Sequence, residues 1–301
     1  MSLEPLVIIA SVNGGGQQSK GETFVPITPD EIAEEAALCE KAGANALHFH
    51  GRDKDGNNTG DPAVYAEIIK KVSKKTNLML QLTNGIGHRI DPDTGRHIFP
   101  QDDERLALMR LDPPPDFHGA ACASIDFYNP EGGYPEEASF QNSHHFLRET
   151  MRIVYGRGST IEFEVPHVTA LHRLHRILVE EGVDPAAPYI MLVMPVFPAF
   201  VPNHRSWILL MDEARRLFPN AIVSHAGVGK GAFEAVTVGL ALGVESVRVG
   251  FEDTLYLPDG SRPKRNYELI EKVVEIARTF GRRPATRAEA KAILQLDRKV
   301  K

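Results

Sequence analysis

The stretch Ala46-Leu47-His48-Phe49-His50-Gly51-Arg52-Asp53 closes an apolar run with two histidines two residues apart. Two imidazoles so spaced can share one divalent cation. Near the far end of the chain, "VRVGFED" sets Arg248, Glu252 and Asp253 within six positions. A carboxylate completes a metal ligand set, and a second one held by a guanidinium can accept a proton. With 12 histidines in 301 residues, one His-x-His is close to what chance supplies, so placement has to decide. The ordinary readings are one histidine in a polar mouth, another bonded to a loop carbonyl, and an Arg248–Asp253 pair that only closes the fold.

The elements that must position these residues recur as a short apolar strand, a polar loop and an amphipathic helix. Strands are expected at 5–12, 44–50, 77–85, 119–127, 160–166, 189–195, 220–227 and 244–253, and the helices lie between them. Thr28, Pro29 and Glu31 form a helix start with a capping box, and Gly43 ends that helix. The fourth helix is expected within 137–156, and a last short helix opens at Thr286 and runs through "AILQL". Eight strands alternating with eight helices predict an α/β fold, a TIM (β/α)8 barrel, as a single domain over 1–301 with a short extra C-terminal helix. A doubly wound sheet would carry Gly-x-Gly-x-x-Gly after its first strand, and "NGGGQQ" does not. Those glycines read instead as a flexible loop over the mouth. The long third β–α loop, Gly85 to Pro115, and His225 in "SHAGVG" are expected to line or cover that mouth.

Alternation along "ANALHFH" turns Leu47 and Phe49 toward the helices and His48 and His50 into the lumen. They stand at the carboxyl end of the second strand, where barrel enzymes place their chemistry. If the eighth strand stays extended, Arg248, Gly250 and Glu252 share one face, and both strands flank the first. His48, His50 and Glu252 then make a usual zinc ligand set with a position open for substrate. Asp253, held by Arg248, is the base in that division of labour.

Net charge of −6 and a pI near 6.1 give no reason to expect nucleic acid or an anionic membrane surface. No apolar run approaches the ~18 residues that span a bilayer. "MSLEPLVIIASVNGGG" resembles neither a secretion signal nor an anchor. Cys39 and Cys122 fall in separate elements, so a cytoplasmic chain without disulfides is expected. His144, His145, His172 and His175 read as solvated, and Met191 and Met194 as core.

"ITPDEIAEEAALCEKAGANALHFHGRDKDG", "LQLTNG", "VRVGFEDTLYL" and "ATRAEAKAIL", in that order, resemble the β-keto acid cleavage enzyme family, first characterised as 3-keto-5-aminohexanoate cleavage. The resemblance implies zinc, or another divalent metal, on His48, His50 and Glu252. It implies a retro-Claisen exchange in which a β-keto acid and acetyl-CoA give acetoacetate and a new acyl-CoA. Asp253 and Arg248 take the family's catalytic positions. Thr83 stands for its serine and Ser124 for a hydroxyl residue at the end of the fourth strand; Asn13 and Asn84 are counted with them as substrate-binding. A cytoplasmic homotetramer is implied as well. The family's carboxylate for an amino-bearing substrate has no counterpart: Gly16 stands near that position, and no acid follows until Glu22, so a cationic substrate is not expected. The alternatives are a metal-dependent hydrolase or aldolase on the same barrel, and a barrel that only binds a small molecule. A hydrolase would carry His-x-His on the first strand, and only His167 suits one here; acetyl-CoA dependence separates an aldolase.

Overall fold

Apolar, β-branched runs separated by 20–40 residues can bury both faces only by pairing in parallel and wrapping under their helices. The computed structural model describes residues 3–16, 19, 21–91, 93–129, 134–183, 187–194 and 203–297, and its strands do this. The barrel strands are β1 (Glu4–Ser11), β2 (Ala46–Phe49), β3 (Met79–Thr83), β4 (Phe117–Ala121), β5 (Thr160–Val165), β6 (Tyr189–Met194), β7 (Ile222–Gly227) and β8 (Ser246–Val249). Each pairs in parallel with the next, and β8 returns to β1 with Val7 opposite Ser246 and Ile8 opposite Val247, which closes the barrel. The helices are α1 (Pro29–Ala42), α2 (Pro62–Lys75), α3 (Asp102–Leu108), α4 (His144–Gly156), α5 (Val168–His175), α6 (His204–Leu217), α7 (Ala232–Ala241), α8 (Asn266–Thr279) and the terminal α9 (Arg287–Ile293). Among the described residues no helix is long and apolar enough to cross a membrane.

The lumen is graded. Its amino end is an apolar plug of Val7, Ile9, Ala46, Met79, Phe117, Tyr189 and Ile222, sealed from below by Ala290 and Leu294 around α9. Each large apolar side chain so buried contributes about 1.5–3 kcal/mol. Toward the carboxyl end the same faces turn polar, with His48, Gln81, Glu162 and Ser224, then Ser11, Thr83 and Arg248, all buried. Polar groups cannot be kept dry without partners, and those partners build the site described below.

Three departures from the sequence reading matter. The eighth strand stops at Val249, because Asp253 and Thr254 both donate their N–H to Gly250 O, at 2.9 Å each, and the chain turns. The expected fourth strand divides: β4 ends at Ala121, while Ile125–Asn129 pairs antiparallel with Tyr134–Phe140, whose last four residues open the stretch expected to carry the fourth helix. Helix α4 starts only where the Ser143 hydroxyl accepts Phe146 N–H. Third, Arg282–Pro284 adds a short strand beside Glu4–Leu6, too brief to show a period.

The third β–α loop holds a two-residue ribbon, Arg89–Ile90 with His97–Ile98, before α3. Arg105 fastens it. Its guanidinium lies between the Phe140 and Phe146 rings, 4.5 and 3.8 Å from their centroids, and donates to Asn84 O and Gln141 O at 2.8 Å each.

His225 does not line the mouth. Alternation along β7 turns it outward, where it stacks on Trp207 at 4.8 Å and donates to Ala235 O at 3.4 Å. Burial lowers its pKa to about 4 and that of His118 to about 3. Unfolded, both would titrate near ~6.5, so below that pH the unfolded chain binds more protons and stability falls as pH drops toward 4. The thermal midpoint is therefore expected to fall by several degrees between pH 7 and pH 5, and restoring neutral pH should reverse the loss. His144 and His145 are exposed, and His172 meets Glu213 at 2.6 Å on the surface. Met191 and Met194 are fully buried, the first in the lumen and the second under the helices.

Candidate metal centre

His48 and His50 point into the carboxyl end of the barrel, and Glu252 reaches them from the turn after β8. His48 Nε2 and His50 Nε2 are 3.3 Å apart, and Glu252 Oε2 lies 3.0 Å from the first and 3.6 Å from the second. Among the described residues these three form the one group of His, Cys, Asp or Glu able to hold a metal ion. Zinc bonds of ~2.0–2.1 Å in a tetrahedron require ligand–ligand edges of ~3.3 Å. The three edges bracket that value. The two imidazoles are almost wholly shielded, while the Glu252 side chain keeps 19% of its surface, so the cluster opens on that side.

Each ligand is held from behind. His50 donates Nδ1–H to Ile86 O at 3.4 Å, in the third β–α loop, which leaves Nε2 for a metal. Asn13 clamps the His50 backbone: its Oδ1 accepts His50 N–H at 2.8 Å, and its Nδ2 donates to His50 O at 2.9 Å and Pro26 O at 3.2 Å. The same Oδ1 accepts Gly14 N–H, so the amide expected to bind substrate is fully engaged in the frame of the site. Gly14 and Gly15 are fastened by their carbonyls. Arg52 donates to Gly14 O and Asn58 to Gly15 O, at 2.6 and 2.7 Å. Gly14 has a φ of +67°, and a Cβ there would sit 2.5 Å from Glu252 Cγ. These glycines allow close approach. Gly250 is tighter still, since a Cβ on it would fall 2.0 Å from Ser11 O.

Arg248 is the hub beside the cluster. Nη2 reaches Asp253 Oδ1 at 2.7 Å and Glu252 Oε1 at 3.4 Å, Nε reaches Asp253 Oδ2 at 3.1 Å, and Nη1 reaches Glu164 Oε1 at 3.3 Å. Ser11 donates to Asp253 Oδ2 at 2.5 Å. Burial opposes the charge on Arg248, but Asp253, Glu252 and Glu164 outweigh it and raise its pKa. Burial would raise Glu252 too; His48, Arg248 and His50 instead hold that carboxyl well below its ordinary range. In Asp253 burial wins over Arg248, with Glu252 adding to it, and the pKa is raised, the direction a general base requires.

The turn after Val249 therefore does what an extended strand was expected to do, and brings both carboxylates to one guanidinium. Ser11 and Glu164 escaped the sequence reading. Inward alternation of "PLVIIASV" and "TIEFEVP" toward the same end was the available signal. Thr83, one step beyond the Phe49–Leu82 pairing, stands level with His50 in the lumen, and its Oγ1 accepts Gly85 N–H at 2.9 Å. Asn84 ties β3 to β4, its Oδ1 accepting Ala121 N–H at 3.3 Å, while its buried Nδ2 has no partner among the described residues. Ser124 lies exposed three residues past β4, where its hydroxyl accepts Asn142 N–H. His167, the residue a hydrolase would use, caps α5 with Nδ1 accepting Ala170 N–H. Gly16 is exposed, Gln17 and Gln18 lie outside the described residues, and Glu22 pairs with Lys264 at 2.7 Å on the surface.

The chain matches known proteins over nearly its whole length. The sequence model described as beta-keto acid cleavage enzyme matches residues 5–296. A 3-keto-5-aminohexanoate cleavage enzyme from Fusobacterium nucleatum is 29% identical over 294 residues, covering 98% of this chain and 99% of its own. A 3,5-dioxohexanoate:acetyl-CoA acetone transferase from Paraburkholderia graminis is 23% identical over 300 residues, covering 97% and 96%. Among solved structures, apo ObcA superposes with a TM-score of 0.72 at 20% identity, over 91% of this chain and 66% of that one, and shares the fold.

Proposed function

The chain belongs to the beta-keto acid cleavage enzyme family, and from that premise we propose that it is a zinc-dependent exchange enzyme, turning a β-keto acid and acetyl-CoA into acetoacetate and a new acyl-CoA. The observation that carries this reading is the approach of two imidazole nitrogens and one carboxylate oxygen with the edges a tetrahedral cation needs, beside a buried Arg248–Asp253 pair. The donor set, two neutral nitrogens and one oxygen, suits zinc and leaves a coordination position for substrate. Zinc bound there supplies Lewis acidity toward the oxygens of a β-keto acid.

The chain's own residues account for the rest. Asp253 takes the proton of the hydroxyl that adds to the ketone carbon, and its raised pKa lets it hold that proton. The carbon–carbon bond then breaks to leave the acyl group on that hydroxyl and an acetate-derived enolate; the enolate displaces CoA thiolate from acetyl-CoA to give acetoacetate, and the thiolate takes the acyl group as Asp253 returns its proton. Arg248 fixes the Asp253 carboxyl through two nitrogens, and Ser11 holds the oxygen shared with Nε. Thr83 offers a hydroxyl beside the site. These donors are in place before the reaction, so charge formed as the carbon–carbon bond breaks meets dipoles already oriented.

The substrate in this reading has a neutral or acidic tail. No described acid stands after β1 where an ammonium group would need one, since Glu22 is already paired outside with Lys264. The test is acetoacetate formation from acetyl-CoA with β-keto acids bearing neutral, acidic and basic tails. A kcat/KM at least ~10-fold higher for a neutral or acidic tail is expected, equivalent to about 1.4 kcal/mol. Preference for a basic tail would overturn the substrate assignment, and turnover without acetyl-CoA would move the enzyme to the aldolase reading. We take the enzyme to be a cytoplasmic homotetramer, and light scattering should return four times the 33.2 kDa chain mass.

A further inference from the structure

We propose that Gln81 and Glu162, neither of them a metal ligand, form a positioning pair that fixes which nitrogen of His48 faces the metal. The proposal rests on the zinc reading above. An imidazole can serve a cation through Nε2 only if its proton sits on Nδ1, and in metalloproteins a second group usually enforces that choice. Here the group is an amide. His48 Nδ1 lies 2.8 Å from Gln81 Oε1, on the neighbouring strand and directly across from it. A carboxamide oxygen only accepts, so Nδ1 must carry the hydrogen and Nε2 keeps its lone pair for the cluster.

An amide alone gives no such guarantee, because turning it end for end would present NH2 to Nδ1 and move the imidazole proton to Nε2. Glu162 forbids that turn. Its Oε2 accepts from Gln81 Nε2 at 2.5 Å, and a carboxylate offers nothing for an amide oxygen to accept. Gln81 and Glu162 have no exposed surface, so water cannot substitute for either partner. Below the carboxyl, the Tyr189 hydroxyl donates to Ser246 Oγ at 3.2 Å, and Glu162 Oε1 is buried with no partner among the described residues. The chain His48–Gln81–Glu162 thus runs from the metal cluster into the centre of the barrel. It spans strands β2, β3 and β5, which explains why a barrel otherwise filled with Val, Met and Phe keeps a dry carboxylate at its centre.

The test is zinc affinity, measured by competition with a chromogenic chelator and independent of turnover. Gln81→Leu should weaken zinc binding about 10–100-fold, and Glu162→Gln by a smaller factor, since a second amide leaves both orientations open. The exchanged double variant, Gln81→Glu with Glu162→Gln, rebuilds the chain with the charge moved one link. The carboxylate introduced on β3 accepts from His48, and the amide introduced on β5 donates to that carboxylate. This variant should bind zinc at the parent's level or more tightly, an outcome that a packing role for either residue would not give. A second reading uses metal-free protein, where the His48 Nδ1 proton should exchange slowly with solvent in the parent and the double variant and quickly in Gln81→Leu. Thermal unfolding of each variant shows which are folded. The pair is overturned if folded Gln81→Leu binds zinc as tightly as the parent, or if the double variant recovers nothing. Should the parent itself take up no zinc, the metal reading fails, and the exchange measurement alone decides the pair.

Discussion

Glu252→Gln is expected to lose its zinc and its turnover together. Glutamine keeps the shape of the side chain but removes the charge that His48, Arg248 and His50 stabilise at this position. A neutral amide oxygen is a weak zinc ligand, and two histidines alone rarely complete a site. The loss of zinc should exceed the ~10–100-fold typical of an outer hydrogen-bond partner. Turnover should fall by about three orders of magnitude or more, equal to several kcal/mol of lost charge stabilisation. Metal analysis after dialysis and initial rates of acetoacetate formation check both. The fold should survive, because Glu252 follows the barrel strands and Arg248 keeps Asp253 as its closest partner at 2.7 Å. A variant that retains zinc at the parent's stoichiometry would remove Glu252 from the ligand set.

Asp253→Asn should separate the metal from the chemistry. The Asp253 carboxyl is aimed at Arg248 and Ser11 rather than at the imidazoles, so zinc content should stay near that of the parent. Asparagine can still accept from one Arg248 nitrogen through Oδ1, but its NH2 faces the other donors and it takes up no proton at neutral pH. A fall in kcat of ~10²-fold or more is the expected result, with KM changed far less. Full turnover in this variant would show that another group is the base. Ser11→Ala, which removes one hydrogen bond and leaves the carboxylate, should cost less.

The barrel was legible because its evidence is periodic and repeated. Eight apolar strands alternate with capped helices, and a misread end in one unit does not disturb the others. The two histidines were legible for the same reason, since "ANALHFH" keeps its alternation to the end of β2. The carboxylates were only half so. Glu252 and Asp253 were placed in the right region by an extended strand that does not exist, whereas the real device is a turn that depends on Gly250 lying against the Ser11 backbone. No period marks such a contact. Asn13, Asn84 and Ser124 have the chemistry of ligand-binding residues, and the structure engages all three in backbone hydrogen bonds that hold the mouth together. Residue type cannot distinguish an amide that meets substrate from one that clamps a neighbouring chain segment. His225 was misplaced by its motif, although strict alternation from Ile222 would have turned it outward onto Trp207. The ribbon of Ile125–Asn129 with Tyr134–Phe140 was hidden because "GAACASIDF", which joins β4 to its first strand, reads as a single strand.

The central claim, that one cation is shared by His48, His50 and Glu252, is tested most directly by zinc X-ray absorption on the parent protein, with metal analysis of the same sample. One zinc per chain is expected, coordinated by two imidazole nitrogens and light oxygen donors at ~2.0–2.1 Å, with the imidazole scattering reduced in His48→Ala and in His50→Ala. Protein that holds no zinc after purification and reloading, yet still forms acetoacetate at the full rate, would contradict it.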